Sequence, residues 1–195
     1  MSLIGSGNVP KTTRVHAYDQ LETWSAAAAL AEATQNIEIM GAVKPFFFPP
    51  AVLAKLALGI DSISRGRFTI NLISGWYLSE MEQGGLPIRP HDERYKFSRE
   101  WIQVVKALWS GERVTFEGDY FQIKGMRLLP PPVARPRLTI YLGGESEPAR
   151  QLVADEADAY LINGRPVALI RDIVADLRHR PRPSGIPLHF GMAAL

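Results

Sequence analysis

The sequence contains no cysteine. That excludes disulfides, thiolate metal sites and a cysteine nucleophile, and it fits a reducing compartment. Neither charge is in excess: 22 Lys and Arg stand against 20 Asp and Glu, a formal net charge of +2. The densest basic stretch is Arg178, Arg180 and Arg182, interleaved with His179, Pro181 and Pro183. It reads as a solvated loop rather than a nucleic-acid surface. No stretch reaches the roughly 18 apolar residues of a membrane span, and the alanine-rich run Ala26 to Ala31 suits a packed helix. The start lacks the basic and then apolar pattern of a secretory leader. A cytoplasmic protein with no membrane or nucleic-acid partner is expected. No Gly-x-Gly-x-x-Gly follows a first strand, so a dinucleotide fold has little direct support. No Ser-His-Asp order stands out, and His91 and Glu93 find no further ligand at metal-binding spacing.

What is present is ordinary globular material. Hydrophobic residues make up 46% of the 195 and charged residues 22%, enough to bury a core in one domain spanning 1–195. Strand and helix patterns alternate. Ser2 to Ile4 reads as the end of a strand and Leu21 to Thr34 as a helix. Asn36 to Val43 reads as a strand buried on both faces. Pro49 and Pro50 open a second helix, with Val52, Leu53, Leu56, Ala57, Ile60 and Ile63 at helical spacing and Gly66 as its left-handed cap. Phe68 to Ser74 is the next strand, Gly75 to Pro90 a long loop, and Asp92 to Trp109 a third helix.

The pattern then changes to period two. Arg113 to Glu117 and Tyr120 to Ile123 flank Gly118-Asp119, a hairpin signal that marks an insertion over about residues 113–129. After the proline-rich stretch Pro130 to Pro136, strands at Leu138 to Leu142, Ala159 to Ile162 and His189 to Ala194 alternate with helices at Glu147 to Asp155 and Val167 to Leu177. Such alternation predicts an α/β fold with a parallel sheet, either doubly wound or closed into a barrel.

Ligands of such folds bind at the carboxyl ends of the strands. After the Ile37 strand come Phe46, Phe47 and Phe48, which either wall an apolar pocket or pack beneath a loop. Asn71 lies within an apolar strand, where its carboxamide needs a partner: a planar ligand or a neighbouring backbone group. Gly75 beside Trp76 and Tyr77 suggests backbone close to a ligand with an aromatic wall. Gly143-Gly144-Glu145-Ser146 opens a helix and is either a phosphate cradle or a plain serine cap. His91 to Tyr95 is a helix start with acidic first-turn residues, or a group that sets Tyr95 over an anion. A ligand cradle without an obvious nucleophile points to cofactor chemistry.

Three segments carry a resemblance. Asp61 to Gly75 (DSISRGRFTINLISG), His91 to Tyr95 (HDERY) and Tyr141 to Glu147 (YLGGESE) occur in the order of the bacterial luciferase-like flavin-dependent monooxygenases. The chain is most similar to the group of alkanesulfonate and dimethylsulfone monooxygenases. The resemblance implies a TIM-type (β/α)8 barrel and reduced FMN supplied by a separate flavin reductase. It implies that O2 and a small organosulfur compound are the substrates, and that the protein is a homo-oligomer, dimer or tetramer. It places Ala42 and Val43 beneath the flavin ring, with Asn71 facing the ring or ribityl chain and Ser74-Gly75 in the turn beside it. It places Tyr95, Gly144, Glu145 and Ser146 at the phosphate. Phe46, Phe47, Trp76 and Tyr77 are the candidate walls of the substrate pocket, and His91 is the one candidate for proton handling.

There are departures from the family pattern. Alkanesulfonate monooxygenases carry an arginine and a histidine where this chain has Ala193 and Leu195, which favours a less charged substrate of the sulfone type. A complete barrel takes about 250 residues, so a partial barrel of about strands 2 to 7, truncated at both ends, is expected. Two alternatives are kept: an oxidoreductase of the same fold that uses the deazaflavin F420, which HDERY suits less well than it suits FMN, and a flavin-binding or degenerate fragment without catalysis.

Overall fold

The computed structural model describes residues 21–74 and 78–192. The expected strand at Ser2 to Ile4, the residues Gly75, Trp76 and Tyr77, and Ala193 to Leu195 lie outside them.

Helix α1 (Thr23–Ala33) starts where the Glu22 carboxylate accepts the backbone N–H groups of Trp24 and Ser25, each at 2.8 Å. It ends where Arg67 gathers the carbonyls of Ala31, Thr34 and Ile37 at 2.9, 2.7 and 2.7 Å. That one guanidinium satisfies acceptors that a helix end leaves open. Strand β1 (Ile39–Val43) leads through a 3-10 turn at Pro45–Phe47 into α2 (Pro50–Ser64), which has its proline at the first position. The helix ends at Arg65 and Gly66, with φ of 57° and 87°. The left-handed turn therefore begins one residue before the expected glycine.

Strand β2 (Phe68–Leu72) follows, and then α3 (Leu78–Gln83), a short helix inside the segment expected to be all loop. Its sequence LSEMEQ is too short for a helical period to show, but Met81 is fully buried and anchors it. Next come α4 (His91–Trp109) and the antiparallel hairpin of β3 (Val114–Glu117) and β4 (Gln122–Met126). The remaining elements are β5 (Ile140–Leu142), α5 (Glu147–Glu156), β6 (Ala159–Ile162), α6 (Val167–His179) and β7 (His189–Met192).

The five-stranded sheet is parallel throughout, in the order β1-β2-β5-β6-β7. Chain order and spatial order run together without a reversal. A doubly wound sheet must reverse where its two halves meet; a barrel winds one way. The helices obey the same rule, with α1 on α2, α2 on α4, α4 on α5 and α5 on α6. The topology thus decides between two folds that hydrophobic periodicity leaves open.

The core lies between these helices and one face of the sheet. Leu53, Leu58, Phe68, Ile70, Trp101, Leu108, Trp109 and Ile140 are essentially inaccessible to solvent. Both tryptophans keep a polar partner: Trp101 donates to the Phe48 carbonyl at 2.8 Å and Trp109 to that of Ala54 at 3.1 Å. Helix α2 departs from the sequence reading. Leu53, Ala57 and Ile60 are buried, whereas Val52, Leu56 and Ile63 stand on an exposed face. Six apolar positions span more of the circumference than the sheet, α1 and α4 cover.

The basic stretch near 180 is likewise not a solvated loop. Arg178 lies in α6, and Arg180 pairs with Glu147 and Asp176. Arg182 donates to the carbonyls of Val153, Ala154 and Ala157 at the end of α5. Arg180 and Arg182 thus tie the end of α6 and the segment after it to α5.

Candidate functional site

A parallel sheet brings the segments after each strand to one edge. Four such segments meet there: 43–48 after β1, 73–74 after β2, 143–146 after β5 and 163–166 after β6.

Two distant motifs meet at this edge. Tyr95, in the first turns of α4, and Ser146, the N-cap of α5, bring their hydroxyl oxygens to 3.4 Å. Ser146 also accepts the N–H of Ala149 at 3.4 Å, as an N-cap does. Gly144 has φ of 128°, and a Cβ there would lie 2.6 Å from the Ala149 side chain and 3.8 Å from the Tyr95 hydroxyl. Only glycine fits, so the backbone of this turn stays bare toward the tyrosine. The Gly144 carbonyl accepts the Tyr160 hydroxyl at 3.0 Å. Burial first, and then the charge of Glu145, push the Tyr160 phenol above its ordinary range. The His91 ring meets Tyr95 edge to face at 5.0 Å, with Nδ1 2.8 Å from the Asp92 carboxylate. His91 therefore packs against the tyrosine.

Each acidic residue flanking Ser146 is matched by arginine. Glu145 pairs with Arg165 at 2.8 Å. Glu147 pairs with Arg180 at 2.6 Å and with Arg150 at 3.3 Å. The Arg180 guanidinium is the main cause that holds the Glu147 carboxyl below its usual range.

The sheet edge forms the second part. Ala42, Asn71 and Tyr141 stand side by side on β1, β2 and β5. All three are half-buried, while their strand neighbours Val43, Leu72 and Leu142 point into the core. Val43 thus belongs to the core face of β1, and its carbonyl accepts the Ile73 N–H at 2.8 Å. Beyond Asn71, Ser74 keeps a buried hydroxyl oxygen with no hydrogen-bond partner among the described residues. A buried polar atom without a partner is uncommon and calls for a ligand or water.

Next to it is a pocket lined by Thr23, Trp24, Ala42, Lys44, Phe47, Phe48 and Ile73. Lys44 is 6% exposed, and burial pushes its amine from 10.5 down to about 8. The sequence reading passed over Lys44. Its signal in the sequence is a cation between a buried strand and three phenylalanines. The three phenylalanines have different tasks. Phe47 and Phe48 line this pocket, and Phe48 also meets Trp24 edge to face at 5.7 Å. Phe46 turns away and stacks on Phe97 at 5.0 Å, within a cluster that includes Tyr120 and Phe121 of the hairpin. Trp76, Tyr77 and Gly75, the other expected site residues, lie outside the described residues.

A model of the luciferase-like monooxygenases matches residues 8–193. The chain is 34% identical over 176 residues to an FMNH2-dependent dimethylsulfone monooxygenase of Pseudomonas putida, covering 90% of this chain and 48% of that protein. The crystal structure of a long-chain alkane monooxygenase superposes with a TM-score of 0.80 at 23% identity, over 93% of this chain and 49% of that one. A coenzyme F420-dependent tetrahydromethanopterin reductase from Methanopyrus kandleri superposes with a TM-score of 0.76 at 17% identity, over 89% and 55%. The chain spans about half the length of these relatives.

Proposed function

The chain belongs to the luciferase-like monooxygenases, and from that premise we propose that it binds reduced FMN and, with O2, oxygenates a small organosulfur compound of the sulfone or alkanesulfonate type. The observation that carries this reading is the meeting of Tyr95 and Ser146 at 3.4 Å. Two segments 51 residues apart become one hydroxyl-lined cradle at a helix start.

The residues present fit the flavin on two grounds. Gly144 leaves open backbone where a side chain would collide, and Ser74 keeps an unpartnered buried hydroxyl beside the sheet edge. The hydroxyls of Tyr95 and Ser146, with the backbone N–H groups of the Gly144-Glu145-Ser146 turn, hold the phosphate. Ala42 forms the floor at the end of β1, while Val43 turns into the core behind it. Asn71 and Ser74 offer polar groups to the ring or ribityl chain.

Bound reduced FMN would supply the electrons and the place where oxygen is activated. The protein's own residues bind, orient and keep out water. Trp24, Phe47 and Phe48 make a dry wall. His91 holds Tyr95 in place and handles no proton in this reading. A separate flavin reductase delivers the reduced cofactor.

Titration of the chain with reduced FMN tests the site. Ser146→Ala and Tyr95→Phe should each weaken binding, by roughly 1.5–3 kcal/mol for a lost hydrogen bond to a charged group. Unchanged affinity in both variants removes the cradle. The structural likeness to an F420-dependent reductase supports a second reading, hydride transfer with the deazaflavin. Oxygen consumption with dimethyl sulfone and a flavin reductase separates the two. FMN binding without such turnover would favour a flavin-binding role alone.

A further inference from the structure

The proposed phosphate loop carries an electrostatic conflict. Ser146 stands between two carboxylates, Glu145 and Glu147. A phosphate monoester bears close to two negative charges at neutral pH. The start of α5 offers about half a positive charge, which does not offset two carboxylates beside a dianion. Compensation must come from elsewhere, and both carboxylates are paired by arginines lying outside the loop.

The two pairs differ in kind. Arg180 is 13% exposed and also bonds Asp176 and Gln151, so it fastens α5 to α6 whether or not a ligand binds. Arg165 comes from the segment after β6, the next strand along the sheet. Its Nε donates to the Glu145 carboxylate at 2.8 Å, and the two side chains are 51% and 39% exposed. An exposed pair of this kind adds little to stability. Its position across two adjacent strand ends points to an electrostatic duty instead.

We propose that Arg165 is a positioning residue for the anionic end of the cofactor: it neutralises Glu145 so that the backbone of the 144–146 turn can accept a phosphate dianion. The proposal rests on the FMN reading. It gives the segment after β6 a part in cofactor selection, acting through Glu145 and without contact to the phosphate. The conflict arises because the loop places glutamate where its backbone must receive an anion. Arg165 resolves it from a neighbouring βα segment, so the site is assembled from three elements.

The test uses the whole chain, titrated with FMN and with riboflavin, which lacks the phosphate, and followed by tryptophan fluorescence. Arg165→Gln should weaken FMN about fivefold and leave riboflavin within about twofold, since only the charged end senses the exposed carboxylate. Adding Glu145→Gln to that variant should return FMN affinity to within about twofold of wild type, because the offending charge is gone. The effect should shrink as salt rises from roughly 0.05 to 0.5 M. An unchanged ratio of FMN to riboflavin affinity in Arg165→Gln overturns the proposal. So does a double variant as weak as the single, which would make Arg165 a direct phosphate ligand. A wild-type chain that binds FMN no better than riboflavin overturns the phosphate site itself, and this proposal with it.

Discussion

At the scale of single residues, the site depends on side chains placed against their ordinary preference. Lys44 is the clearest. Its amine would hold a proton up to 10.5 in the unfolded chain and only up to about 8 in the folded one. Below pH 8 the folded protein carries a buried ammonium and pays for its desolvation. Between 8 and 10.5 the unfolded chain binds a proton that the folded chain has released, so stability rises with pH across that window. The stability of Lys44→Met relative to wild type should fall by on the order of 3 kcal/mol between pH 8 and 10.5. Urea unfolding of both proteins across that range measures it, and a difference independent of pH would contradict the assignment. Gly144 is the second case. Gly144→Ala forces a Cβ to within 2.6 Å of Ala149 at a φ of 128°. A loss of about 1–3 kcal/mol in thermal unfolding is expected, together with weaker FMN binding.

At the scale of elements, the hairpin is held by one carboxylate. Glu100, on α4, accepts the N–H groups of Asp119, Tyr120 and Phe121 at 3.0, 2.9 and 2.6 Å. Gly118 sits so close that a Cβ would meet the same carboxylate at 2.3 Å. Through Phe97 the hairpin continues to Phe46 and to Arg89, whose guanidinium lies 4.9 Å from the Phe97 ring and 5.4 Å from that of Tyr120. Glu100→Ala should cost about 2 kcal/mol and open the turn at 117–121 to proteases. Limited proteolysis checks this; an unchanged cleavage pattern would mean that the aromatic cluster alone fastens the hairpin. Alternation on either side of Gly118-Asp119 made the hairpin legible in the sequence. Its anchor was not, because Glu100 reads as one more polar residue on a helix surface. Helix α2 shows the reverse limit. Its apolar spacing announced a helix, yet Val52, Leu56 and Ile63 face outward, because spacing reports a period and not which neighbours cover each face.

At the scale of the whole molecule, stability concentrates where both sheet and helices are covered. Strands β2 and β5 have a neighbour on each side, and α2 packs on α4 beneath them. Amide hydrogen exchange should be slowest in β2, β5, α2 and α4 and faster in β7, whose His189 and Met192 are exposed. Protection as high in β7 as in β2 would refute that ordering. Leu53→Ala, at a fully buried position of α2, should cost about 2–5 kcal/mol in denaturant unfolding.

The sequence by itself determined the kind of fold and most of the elements, since buried parallel strands and amphipathic helices each leave a local periodic trace. It also marked Tyr95, Gly144 and Ser146, because their motifs are contiguous. Tertiary structure alone decided the rest. Strand order separated a one-way winding from a doubly wound sheet, and no local pattern records which strands become neighbours. Lys44 became buried, in a pocket it shares with Trp24 and Phe48, only on folding. Phe46 left the pocket for Phe97, and Arg165 reached Glu145 across two strand ends. In each case the deciding interaction joins residues that only folding brings together, and its free energy depends on burial and distance, which composition and spacing do not encode.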